Sequence, residues 1–427
     1  FILAGVTLAL ALTRAGLAAN VAYGVDLVGA AMGCIAILPL LDSVDAPSAA
    51  LIAAAVGGVG ASAFALSARR SLASSVISTV VLVAAGLWNA RAEPPALRPA
   101  WVKGAREDYK AFEYVGWNTY SRITVGHTVN QIPAFWAFGP SIPPEALAPI
   151  DQRTILIDGA AGTSMARLGA GLASHGYLAW DVTAFAHNLR PSGPAAVIGV
   201  GGGRDLLEAA RVGHSPVVGV ELNQLIVKLH SEIMRDFSGL LTIPGIELVN
   251  DEARSFMARE ERQFTVLTMS LIDTWASTGA GAYSLSENGL YTREAWQLFL
   301  RRLTPEGIFT VSRWYLPTSP GETARMLALA IETLYAEGVQ NPLSQLVLLQ
   351  NGNIATLLVA RNAFSPGDLD IVESAAQRHG YNLLLTPRQT PGHAVLRVVT
   401  EQATREALWS WTRQQGLDRT PPTGGRP

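Results

Sequence analysis

Residues 195–221, AAVIGVGGGRDLLEAARVGHSPVVGVE, constrain the fold more than any other stretch of this chain. A short apolar run, 196–198, ends in Gly199, Gly201, Gly202 and Gly203, and a helix-like segment starts at once. A second apolar run, 216–220, ends in Glu221. Strand, glycine turn, helix, strand and terminal acid are the parts with which a doubly wound sheet holds an adenosyl cofactor. Glycine lets the backbone approach a ligand with no Cβ in the way. The acid, 18 residues beyond Gly203, is placed to accept hydrogen bonds from ribose hydroxyls. The competing interpretation is a tight turn in some other α/β protein.

The alternation continues beyond Glu221. The pattern predicts helices over 225–237, 253–260, 293–303 and 322–335, and strands over 246–249, 264–269, 307–312, 345–349 and 355–360. Strands alternating with helices imply a mostly parallel sheet covered on both faces. Upstream, 108–181 is irregular and strand-like, rich in aromatic and β-branched residues, and 153–159 looks like a strand entering a tight turn. A small β-rich domain over 93–190 and a cofactor-binding domain over 191–420 are therefore expected.

The front of the chain has another character. Between Phe1 and Ala90 the charged residues are Arg14, Asp26, Asp42, Asp45, Arg69 and Arg70. A membrane-crossing helix needs about 20 mostly apolar residues, and 21–41, 48–68 and 72–90 each qualify. The run 1–12 looks like the end of a further span. Transmembrane helices are expected over 1–92. Small residues such as Gly57, Gly58 and Gly60 suit close packing of such helices. Asp26 lies inside a span, where an acid is either functional or an interfacial group reaching for water. Three arginines on one side face four Lys and Arg residues on the other, so charge does not set the orientation.

Across the whole chain the net charge is −2 and charged residues make up 15%, which offers no basic surface for nucleic acid. Cys34 stands alone, so no internal disulfide or thiolate metal site can form, and the histidines lack ligand spacing. No metal is expected.

Acids follow three successive strands. Glu221 ends one, Asp251 follows 246–249 and Asp273 follows 264–269. Ligands of open α/β sheets bind beyond the carboxyl ends of the strands, so the three converge on one crevice. In that crevice Glu221 would hold the ribose, Asp251 the adenine amino group, and Asp273 the reacting end. Each acid alone could equally be a helix cap or turn residue. The segment 274–288, glycine- and serine-rich with Trp275 and Tyr283, has the composition of a loop that closes over a substrate.

Residues from about 107 to 315 resemble the spermidine synthase family of aminopropyltransferases, in the membrane-anchored branch with N-terminal helices. The resemblance lies in ILIDG (155–159), IGVGGGRDLLE (198–208), VNDEARSFM (249–257), the loop 270–273 and LYTREAWQLFLRRLTPEGIFTV (290–311). It implies an α/β, class I methyltransferase-like (Rossmann-like) doubly wound sheet preceded by a small β-rich domain and transmembrane helices. It implies Gly199, Gly201, Gly202, Gly203, Asp205, Glu221, Asp251, Glu252 and Ala253 at the cofactor, and Asp273 with Ser270 at the catalytic position. Trp275, Tyr283 and Tyr291 would line the substrate loop. The cofactor implied is decarboxylated S-adenosylmethionine or S-adenosylmethionine. The expected partners are a small-molecule amine or other acceptor and the membrane, with a homodimer left open.

Departures from the family pattern are specific. Gly202 stands where the family has an acid for the cofactor's amine, Gly162 where a glutamine is expected, and Ser270 where the first of two catalytic acids belongs. The Tyr-Gln pair of the polyamine groove has no clear counterpart near 180–183. Three functions stay open: an aminopropyl-type transferase, an S-adenosylmethionine-dependent methyltransferase, and a membrane transporter or sensor regulated by an adenosyl-binding domain. A multi-pass protein of the bacterial inner membrane, with its soluble part in the cytoplasm where adenosyl cofactors occur, is the expected setting.

Overall fold

The apolar runs at the front fold as helices Ala19–Ser43, Ala46–Ser67 and Ala73–Arg91. The computed structural model describes residues 5–7, 9–10, 18–159, 161–272, 289–401, 406 and 410. The run 1–12 falls mostly outside that set. All three helices are long and apolar enough to cross a membrane. Asp45 starts the second by accepting from Ser48 N at 2.9 Å, which satisfies a donor the helix itself cannot. Glycine sets the spacing between the second and third helices. A Cβ on Gly58 would lie 2.3 Å from Thr79 Oγ1, and Ser62 and Ser75 hydrogen-bond across the same contact at 2.9 Å. Asp26 is half-buried on the first helix.

The chain divides into two units, Phe1–Ile123 and Thr124–Pro427. The second is built on an eight-stranded sheet. Its strands are β1 (Gly193–Ile198), β2 (His214–Glu221), β3 (Ile246–Asn250), β4 (Phe264–Ser270), β5 (Leu303–Trp314), β6 (Leu346–Asn351), β7 (Ile354–Ala360) and β8 (Asn382–Leu385). They lie in the order β3-β2-β1-β4-β5-β7-β6-β8. Neighbours from β3 to β5 are parallel; the pairs from β5 to β8 are antiparallel. Alternate residues face opposite sides of a strand. Accordingly, Leu267 and Met269 of β4 join one buried cluster while Val266 joins the other. The strand order reverses between β1 and β4, which opens a crevice at their carboxyl ends.

A second, antiparallel sheet is centred on Ile150–Ile157, which pairs with Val129–Gln131 and with Ala161–Ala166. The tight turn expected at its end is present, with Asp158 at φ 49° and Gly159 at φ 75°.

Three differences from the expected elements have physical causes. Beyond Ala166 the strand-like pattern gives way to 3-10 segments, Leu172–Trp180 and Val182–Asn188; Tyr177 and Leu178 of the first are buried, and Val182, Phe185 and Ala186 of the second join a core cluster with strands of the main sheet. The helix expected over 225–237 is broken into Gln224–Lys228, a π-helical turn Leu229–Ile233, and Arg235–Ser238. The wide turn seats His230 against the Gly201 carbonyl, with Nε2 at 2.9 Å from the oxygen. Finally β8 follows helix Pro366–His379 and adds one more strand. Its pattern, NLLL, is too short to distinguish from loop.

Candidate active site

The glycine turn leaves β1 at Gly199 and enters helix Arg204–Val212. Gly199, Gly201 and Gly203 all have positive φ, at 80°, 49° and 85°, the left-handed region that other residues enter at a cost. Gly202 has another constraint. A Cβ there would lie 2.0 Å from Ser164 O and 3.0 Å from Met165 N, backbone atoms of strand Ala161–Ala166. That neighbouring strand closes the position to any side chain. Thr163 Oγ1 also accepts from Gly202 N at 3.3 Å.

Glu221 is buried at the tip of β2 and grips this loop. Its Oε2 accepts from Val200 N at 2.9 Å and Gly201 N at 3.3 Å, and its Oε1 from Asn223 N at 2.9 Å. Burial raises its pKa, and the backbone donors oppose that rise. A carboxylate offers about four lone-pair sites, so these three donors leave room for one more. Glu221 therefore fits a ribose hydroxyl while bracing the loop that lies over it.

Next along the sheet edge, Asp251 accepts from Glu252 N at 2.8 Å and pairs with Arg259. Glu252 caps helix Ala253–Arg259, its oxygens accepting from Arg254 N at 2.9 Å and Ser255 N at 2.8 Å. Ala253, buried, opens that helix. Asn250, on β3, donates to Glu221 O at 2.8 Å and so ties β3 to the ribose-side acid.

Arg204 and Asp205 open helix Arg204–Val212 and point to different tasks. Arg204 turns inward to a buried ion pair with Asp181, Nη2 to Oδ2 at 2.6 Å. Asp181 also accepts from Trp136 N at 2.7 Å. Such a pair loses its stabilising role if either partner is removed, because the other charge is left buried. Asp205 keeps some surface exposure, yet its carboxyl lies deep enough that burial pushes its pKa up to about 6. Ser270 and Arg204 hold that value down, while the Asp181 charge raises it. Ser270 Oγ, at the end of β4, is near enough to act on Asp205 but is buried without a partner of hydrogen-bonding geometry. A buried hydroxyl without such a partner marks a place where polar ligand atoms are wanted.

Of the remaining expected residues, Tyr291 is described: its hydroxyl accepts from Arg313 Nη1 at 3.2 Å, with that guanidinium 4.9 Å from the ring centre. Asp273, Trp275 and Tyr283 lie outside the described residues. Thus the structure brings the glycine loop, Glu221, Asp205 and Ser270 to one end of β1, β2 and β4. Thr163, His230 and Asn250 support that end and were not singled out in the sequence. No local pattern flags them, because Thr163 and His230 contact the loop, and Asn250 the end of β2, from distant elements. Among the described residues, no group of three His, Cys, Asp or Glu side chains could hold a metal ion.

No protein-family model matches the chain, and no curated protein matches it. Several solved structures align with it at low identity. A probable spermidine synthase from Corynebacterium glutamicum ATCC 13032 aligns at TM-score 0.42 and 12% identity, over 68% of this chain and 94% of that one. The spermidine synthase of Thermotoga maritima aligns at TM-score 0.39 and 15% identity, over 65% and 87%. A spermidine synthase in complex with the transition-state analogue AdoDATO aligns at TM-score 0.38 and 14% identity, over 75% and 100%. Scores and identities this low carry nothing about chemistry. Strand order, parallel core and glycine turn establish an α/β, methyltransferase-like (Rossmann-like) doubly wound fold, in a chain that also has three apolar N-terminal helices.

Proposed function

We propose that this chain is a membrane-associated transferase that uses an adenosyl sulfonium cofactor and passes an aminopropyl group from decarboxylated S-adenosylmethionine to an amine. One observation carries the proposal: Glu221 and the glycine loop are clamped together beside a buried, proton-ready carboxyl, Asp205. When bound, the cofactor supplies a carbon activated by a neighbouring positive sulfur. The protein's own residues then have three tasks. Glu221 would accept from the ribose, and the glycine loop would hold the adenosyl group. Asp251 and Ala253 border the adenine. Asp205 receives a proton, because an amine must be neutral to attack carbon and becomes positive as the new bond forms.

A carboxyl titrating near 6 suits this work. At neutral pH it is mostly ionised, yet basic enough to accept a proton from a hydrogen-bonded amine. Ser270 orients the pair, and Asp273 takes the catalytic place that the family resemblance gives it. In the membrane, the three helices would form a multi-pass anchor in the bacterial inner membrane, with the adenosyl unit on the cytoplasmic side.

A second reading, methyl transfer from S-adenosylmethionine, is favoured by Gly202. The backbone at Ser164 excludes an acid there, so the loop offers no carboxylate for an aminopropyl amine. Methyl transfer needs positioning more than proton removal. Purified protein incubated with putrescine and either cofactor form, with products read by mass, separates the two. An aminopropylated product supports the first proposal. Tight binding of S-adenosylmethionine without that product overturns it in favour of methyl transfer or of ligand sensing.

A further inference from the structure

A cavity of about 380 Å³ lies within the N-terminal unit, where helices Ala19–Ser43 and Ala73–Arg91 end and helix Ala46–Ser67 begins. That size suits a small polar group with room to spare. The charged residues in its walls are balanced: Asp42, Asp45 and Glu93 against Arg91, Arg98 and Arg122.

Some of these charges already have structural work. Arg122 is buried, pairs with Glu107 at 2.6 Å and lies 5.7 Å from the Trp117 ring centre. Asp45 caps a helix and accepts from Ser48 Oγ at 2.7 Å. Asp42 accepts from Thr119 N and Oγ1, both at 3.1 Å. Arg91, Arg98 and Glu93 differ: among the described residues none of them forms an ion pair. Arg91 reaches Leu87 O at 3.4 Å, while Arg98 reaches Pro95 O at 2.5 Å and lies 5.7 Å from the Tyr109 ring centre. Two cations and an anion, all exposed, thus face one cavity without an ion-pair partner among the described residues.

The walls are also held in place. Asn89, buried at the end of the third helix, donates to Ser48 Oγ at 2.9 Å and to Leu97 O at 3.0 Å, and accepts from Leu97 N at 2.6 Å. That amide fastens the strap 93–99 to the ends of two helices, so the cavity does not have to be assembled on binding. Tyr109 and Trp117 also line it. Rings with one polar edge settle at the boundary between lipid and water.

We propose that this cavity binds the zwitterionic headgroup of an aminophospholipid, its phosphate toward Arg91 and Arg98 and its ammonium toward Glu93 and Asp42. A purely anionic headgroup would bring its charge among three carboxylates, and a simple cation would meet three guanidinium groups. A phosphate beside an ammonium satisfies both sets through charge-assisted hydrogen bonds. The place favours a lipid over a soluble compound, because headgroups lie at the ends of membrane-crossing helices. The proposal rests on the membrane reading of the three helices and is independent of the adenosyl chemistry.

Native mass spectrometry of the full chain, purified in mild detergent, tests it with phosphatidylethanolamine, phosphatidylglycerol and soluble phosphoethanolamine. The expected result is retention of phosphatidylethanolamine about tenfold above phosphatidylglycerol, as one added charge-assisted contact gives. Arg98→Gln and Glu93→Gln, both at exposed side chains, should each remove most of that preference. Equal retention of the two lipids, or a preference untouched by both variants, would overturn the proposal. Retention of phosphoethanolamine with no lipid preference would assign the cavity to a soluble ligand and also overturn it. Carbonate extraction of membranes from cells producing the chain reads the membrane assignment separately: a chain that stays integral but shows no lipid preference loses the headgroup site alone.

Discussion

The N-terminal helices and the central strands are both built from Val, Ile, Leu and Ala, and the structure treats them in opposite ways. Ile35 on the first helix is 71% exposed and Val56 on the second 68%, whereas Val197 and Ile198 on β1 are each 2% exposed. The difference comes from the backbone. A helix satisfies its own N–H and C=O groups, so it can present apolar side chains to lipid with no partner strand. A strand depends on its neighbours for every ladder bond and buries both faces under helices. Glycine divides along the same line: Gly58 makes room for a neighbouring helix, whereas Gly202 makes room for a neighbouring strand's backbone.

Substitutions sharpen this contrast, and the largest effect is expected at the site. Asp205→Asn keeps the shape but removes the proton acceptor, so turnover at saturating cofactor should fall by about 10²–10⁴-fold, and cofactor affinity should weaken as well because the cationic tail loses a charged neighbour. Unchanged turnover would move the base elsewhere. Leu267→Ala, in the fully buried centre of β4, should lower unfolding free energy by about 2–5 kcal/mol. Gly202→Asp, which places an acid where the spermidine synthase pattern has one, should cost about 3 kcal/mol by forcing a side chain against Ser164 O. A stable, more active Gly202→Asp variant would contradict the closure of that position. At the other end of the scale, Ile35→Ala should change stability by no more than about 0.5 kcal/mol. A large loss there, measured by thermal unfolding in detergent, would mean that the helix face has a protein partner.

The pH dependence of binding follows from Asp205. Its carboxyl is raised to about 6 in the free protein, and a cationic cofactor tail placed beside it favours the ionised form and lowers that value. Binding should therefore release protons at a pH between the lowered value and about 6, and release should fade above 7. At pH 6 the carboxyl is half protonated, so roughly half a proton should be released per cofactor. Calorimetry in two buffers of different ionisation enthalpy counts it. Asp205→Asn should abolish the release; proton uptake instead would mean the tail lies elsewhere.

The parts legible in the sequence are those encoded locally. The glycine run, the acid closing β2 and the apolar periodicity fix β1 to β5 and the three long helices to within a few residues. The strand β5 runs longer than expected, from Leu303 to Trp314, because its ends pair where the pattern is no longer purely apolar. What stayed hidden depends on distance along the chain. That strand Ala161–Ala166 closes Gly202, and that His230 reaches Gly201, are contacts between elements 29 to about 40 residues apart, with no local signature. Asp205 was legible as a cofactor residue from its place after the glycines. Its raised pKa was not, since that comes first from burial of the carboxyl and then from the nearby Asp181 charge, both set by tertiary packing.

The most direct test is calorimetric titration of the purified full chain with S-adenosylmethionine and with its decarboxylated form, each repeated on Glu221→Ala. Removing a buried charged acceptor should weaken binding by about 1–3 kcal/mol, or roughly five- to 150-fold. The account predicts saturable one-site binding of at least one form by wild type and that loss in the variant. No binding of either form by wild type, or equal affinity in Glu221→Ala, would contradict the assignment of this crevice to an adenosyl cofactor.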